Sequence, residues 1–170
     1  MLLLSLGFLF STCEDDKNTS LPLIGCCNND PLTASFGNAF LFLPNIFTPN
    51  NDGVNDRFYP IGDSINEILD FEIKDLLGIT VYHRSHIQAN DPGSGWDGYV
   101  RGKVQKGLYS FTIKADAQNG YFKVFSGQVC NFPCGYPEKE TISSENCFSQ
   151  LKWECLSGPW ICELPYDCFE

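Results

Sequence analysis

Downstream of residue 36, apolar and polar positions alternate with the two-residue period of half-buried strands. Ala39 to Leu43 reads as a first apolar strand that Pro44 ends. Leu69, Phe71 and Ile73 alternate with Asp70, Glu72 and Lys74, and Ile79, Val81 and His83 oppose Thr80 and Tyr82. Tyr109, Phe111 and Ile113 alternate with Ser110, Thr112 and Lys114. Gln118-Asn119-Gly120 is a hairpin signal, and Phe122, Val124 and Phe125 lead a final strand toward Val129. No helical period of useful length interrupts this stretch. Short strands with a turn signal roughly every eight to twelve residues predict an all-β domain, an immunoglobulin-like antiparallel β-sandwich, over residues 36–132.

The flanks have a different pattern. Met1 to Phe10 is an apolar run too short to span a bilayer and of the length of a secretion signal. Phe10-Ser11-Thr12-Cys13 resembles a bacterial lipobox, which would place a diacylglyceryl group on Cys13, and Glu14-Asp15-Asp16-Lys17 looks like the acidic export signal of Bacteroidetes surface lipoproteins. The expected organisation is a lipoprotein-type signal peptide at 1–12, a polar tether at 13–35, the sandwich at 36–132 and a cysteine-rich tail at 133–170. Within the tail, Ser144 to Leu156 has the spacing of a short helix that Gly158-Pro159 would stop.

Charge and cysteine content narrow the functional classes. A formal net charge of -10 with no basic stripe excludes nucleic acid as an expected partner. Nine cysteines in 170 residues point to an oxidising compartment. With Cys13 assigned to lipid, an even set of disulfide candidates remains: Cys26, Cys27, Cys130, Cys134, Cys147, Cys155, Cys162 and Cys168. The adjacent pair Cys26-Cys27 is expected to reach two different partners, because a ring between neighbours is strained. No two tail cysteines have C-x-x-C spacing, so disulfides rather than zinc are expected there.

Enzyme activity is not expected. His83 and His86 are three apart near a strand end, and no phosphate-cradling loop or G-x-S-x-G turn occurs. Two readings apply to the Pro44–Asp56 loop. Asn50, Asp52, Asn55 and Asp56 either close Asx-turns on their own backbone or offer a cluster of hard oxygen donors to Ca²⁺. No other cofactor is expected. Trp96 of the Trp96-Asp97-Gly98 triplet is either buried at a sheet edge or, with Tyr99, an exposed platform for sugar rings. Trp153 and Trp160 of the tail are a second candidate aromatic surface.

Several motifs then occur in a fixed order: PNIFTPNNDGVND over Pro44–Asp56, Phe58, Trp96-Asp97-Gly98, Gly107-Leu108-Tyr109-Ser110-Phe111 and Gly127-Gln128-Val129. Together they resemble the gliding-motility-associated C-terminal domain, also described as the type B sorting domain of the type IX secretion system. The resemblance implies a β-sandwich that passes through the type IX outer-membrane machinery and docks with barrel proteins there. The expected function is a non-catalytic, lipid-anchored module at the outer membrane or cell surface that docks to an outer-membrane barrel or surface protein. The alternative is a carbohydrate-binding accessory lipoprotein.

Overall fold

A computed structural model describes Cys26 and residues 29–51, 53, 55–118 and 120–132. Signal peptide, lipid attachment at Cys13, Cys27, Asp52 and the tail with its helix, its five cysteines and its Trp153 and Trp160 lie outside the described residues.

Ten strands follow one another: β1 Leu32–Phe36, β2 Ala39–Leu43, β3 Ile46–Phe47, β4 Ile61–Asp63, β5 Ile65–Lys74, β6 Thr80–Arg84, β7 Tyr99–Val100, β8 Lys103–Val104, β9 Gly107–Ala117 and β10 Phe122–Asn131. One sheet has the order β1-β2-β4, a larger one β3-β10-β9-β5-β6, and β7-β8 forms a small hairpin. All pairings are antiparallel except that β3 joins β10 in parallel. Among the described residues the helical content is a single 3₁₀ turn at Pro92–Ser94, plus Cys26, and no α-helix.

Alternation builds the core. β2 buries Ala39, Leu41 and Leu43, and β9 buries Tyr109, Phe111, Ile113, Ala115 and Ala117, so one face of each sheet is apolar. These faces share one hydrophobic cluster, and Phe36 of β1 meets Phe125 of β10 edge-on with centroids 5.3 Å apart.

Two expectations need correction. β1 occupies Leu32–Phe36, inside the stretch read as tether, because Leu32, Ala34 and Phe36 alternate with Thr33 and Ser35 over too few residues to stand out beside Pro31. In β5 the inward residues are Ile68, Phe71 and Ile73, while Leu69 is only half-buried. A register shift against β9 between Ile68 and Asp70 changes the phase, and Ile68, opposite Ala115 of β9, also exchanges backbone hydrogen bonds with Ile87. In the final strand, Phe122 and Val124 are 58% and 54% exposed. Their phase is opposite to that of Phe125 and Val129, so both point outward from β10.

Candidate functional site

The ordered motifs converge at one end of the two sheets. The Pro44–Asp56 segment contains β3, and the turn that follows β3 closes on the Asp56 carboxylate. Asp56 Oδ1 accepts the N–H groups of Asn50 (3.0 Å) and Asn51 (2.6 Å), and Oδ2 accepts that of Gly53 (2.8 Å). Thr48 N–H donates to Asn55 O at 2.8 Å, fixing the base of the loop. Asn51 and Asn55 take positive φ values of 63° and 53°, a conformation short amide side chains tolerate. Three backbone N–H groups aimed at Asp56 are Asx-type turn chemistry.

The other motif residues pack behind this loop. Phe58 and Trp96 form a reciprocal backbone bridge, each N–H donating to the other's carbonyl at 2.9 Å. Both side chains are buried, at 0% and 1% exposure. Phe58 touches Phe47, Phe71 and Phe111, and Trp96 touches Phe47 and Tyr109, with ring centroids 4.7 to 6.0 Å apart. The Trp96 indole N–H donates to Tyr99 O at 3.3 Å, and Asp97 accepts the Tyr99 N–H at 3.1 Å. Trp96 therefore follows the buried reading and presents no face to a sugar, while Tyr99 beside it is exposed. Burial also raises the Tyr109 phenol above its ordinary value, and its hydroxyl donates to Gln105 O at 3.0 Å.

Two motif glycines sit where a side chain does not fit. A Cβ on Gly98, whose φ is +77°, would lie 2.7 Å from Asn131 Nδ2 and 2.9 Å from Pro49 Cγ. A Cβ on Gly127 would lie 2.6 Å from Phe111 Cζ, its cross-strand partner on β9. Asn131 is the residue sequence reasoning missed. Fully buried at the end of β10, it donates from Nδ2 to Gly98 O (2.8 Å) and Gln105 O (2.9 Å), joining the Trp-Asp-Gly turn to the link between β8 and β9. Its inward phase, two residues after Val129, was the available signal.

The amino-terminal approach is clamped to the same end. Cys26 is bonded to Cys130, across 104 residues of chain, rather than to its neighbour Cys27. Asn45 Nδ2 donates to Asn29 O, and Asn29 Nδ2 to Gln128 O at 2.7 Å. The two histidines do not meet: His83 pairs with Asp70 at 2.7 Å and His86 with Glu67 at 3.1 Å. Among the described residues no group of three or more His, Cys, Asp or Glu side chains is placed to hold a metal.

The span of this architecture coincides with a family. The model of the CHU_C type IX secretion signal domain matches residues 41–128. The chain belongs to that family. The match runs from within β2 into β10 and takes in the Pro44–Asp56 loop, Phe58, Trp96-Asp97-Gly98 and Gly107–Phe111, ending inside Gly127-Gln128-Val129. Membership marks the chain as a secreted or cell-surface protein related to type IX secretion sorting. No curated protein matches the chain.

Proposed function

We propose that the chain is a non-catalytic surface module whose immunoglobulin-like sandwich is carried across the outer membrane by the type IX machinery and docks there to a membrane barrel or another surface protein. The observation behind this reading is the family match over 41–128, whose Trp96-Asp97-Gly98 turn and Asp56 loop lie at an end of the fold that Asn131 and the Cys26–Cys130 bridge brace from outside the matched span. A folded sorting element needs such a body, because it must present one surface reproducibly while the rest of its cargo varies. Lipid attachment at Cys13 is proposed as the means of retention, on the lipobox-like sequence before it.

The test follows the full chain in cells with and without a working type IX translocon. Protease shaving should remove it from the surface of the first and leave it protected inside the second. Equal accessibility in both strains would defeat the sorting reading. Intact mass of the membrane-extracted chain tests the anchor: cleavage before Cys13 and a lipid adduct are expected, and an unmodified Met1 would refute it.

A further inference from the structure

The five-stranded sheet ends unevenly at β10. β3 covers only Cys130 and Asn131 of its ten residues. The N–H groups of Cys130 and Phe132 donate toward β3, to Asn45 O and Phe47 O, and Gln128 O accepts from the Asn29 side chain. Backbone direction alternates along a strand, so Phe122, Val124 and Ser126 direct N–H and C=O to this same side, away from β9. Among the described residues no strand pairs with that stretch.

Other features set this edge apart from an ordinary sheet margin. Its ladder with β9 runs through ten pairs without a register shift, whereas both ladders of β5 are bulged. The edge therefore lacks a bulge to deflect a neighbour, and it has no proline. Phe122 and Val124 are more than half exposed on its outer face. On the other face Lys123 lies exposed, its Nζ 5.4 Å from the Phe125 ring centroid.

We infer that the β10 edge over Phe122–Ser126 is a strand-addition site for an extended segment of a partner protein, with apolar side chains beside Phe122 and Val124 and an acidic one opposite Lys123. Only an extended polypeptide satisfies alternate N–H and C=O groups at strand spacing. The incoming strand continues the line that β3 and Asn29 already occupy along the upper part of β10. Lys123 sets the charge preference and opposes a second copy that would bring another lysine to the same place.

The inference deepens the docking reading and rests on it. The oxidised full chain, isotope-labelled, is titrated with a synthetic peptide of alternating valine and threonine carrying one central glutamate. Saturable shifts and slowed amide exchange at Phe122, Val124 and Ser126 are expected. Val124→Pro removes an edge-facing donor without touching the β9 ladder and should weaken binding by about tenfold or more. Lys123→Glu keeps the edge-facing backbone groups but repels the peptide's glutamate, and should weaken it too. A silent titration up to about 1 mM, shifts confined to β6, or binding that neither substitution weakens would overturn the site. Concentration-dependent shifts without peptide would assign the edge to a second copy and overturn the partner proposed. Normal translocon-dependent display together with a silent titration would remove only this inference and leave the sorting reading standing.

Discussion

The two ends of β10 make opposite use of the same strand. At Val129 to Phe132 every feature is committed to the fold: the disulfide to Cys26, pairing with β3, the Asn131 amide braced on Gly98 and Gln105. At Phe122 to Ser126 the strand has β9 on one side and, among the described residues, no strand on the other. The family signature is concentrated at the first end, with Phe58, Trp96, Gly98 and the Asp56 loop. Signature residues here are mainly architectural, so the surface that distinguishes one family member's partner from another's has to be sought where the signature is silent.

Substitution tests this contrast most strongly at the aromatic cluster. Trp96→Ala should cost about 3–5 kcal/mol in denaturant unfolding, since it empties a fully buried site and strands the Phe47 and Tyr109 contacts. Phe122→Thr at the other end should change stability by no more than about 0.5 kcal/mol. Equal costs would erase the distinction. Replacing Cys26 and Cys130 together by Ala should cost roughly 2–5 kcal/mol, because the bridge closes a 104-residue separation in the unfolded chain. Stability unchanged by that double substitution would show that the Asn29 and Asn45 hydrogen bonds hold the amino-terminal approach alone.

At the loop, Asp56→Ala leaves three backbone N–H groups without their acceptor and should cost about 1–3 kcal/mol. Chelation of divalent cations should leave the thermal midpoint of the native protein unchanged. A midpoint lowered by chelator and restored by Ca²⁺ would revive the metal reading of Asn50, Asp52, Asn55 and Asp56.

A smaller effect comes from acid. The Ser94 hydroxyl first, and the Gly93 N–H second, hold the Asp91 carboxyl below its ordinary value, and Lys74 then Thr80 do the same for Glu72. A carboxyl depressed in the folded state contributes stability that is complete above its unfolded pKa and disappears as pH falls through its folded one. The denaturant midpoint should therefore decline below about pH 4.5, and Asp91→Asn with Glu72→Gln should flatten that decline. These groups are exposed, so a steep loss at higher pH would point to other titrating residues.

The strands were readable because alternation is a local property: β2 has the bounds that Ala39–Leu43 and Pro44 announce, and β9 keeps a single phase for eleven residues. The β5 phase was not, because the register shift near Ile68 arises in the pairing with β9, a strand distant in sequence. The site divides in the same way. Local turn chemistry announced Asp56 and Gly98, while Asn131 and the choice of Cys130 for Cys26 depend on chain segments that only meet after folding.

Thr48 separates architecture from function within the signature itself. Thr48 is 4% exposed, and its hydroxyl has no hydrogen-bond partner among the described residues. A buried hydroxyl without a partner carries an uncompensated desolvation cost, so Thr48→Val, nearly isosteric, should leave stability unchanged or raise it by up to about 1 kcal/mol. If Thr48 is only a packing residue, the substituted chain should be displayed as efficiently as the original. A stable Thr48→Val chain that stays inside the cell would mean that this hydroxyl is used at a step before the final fold, and that the braced end is read by the export machinery as well as built for rigidity.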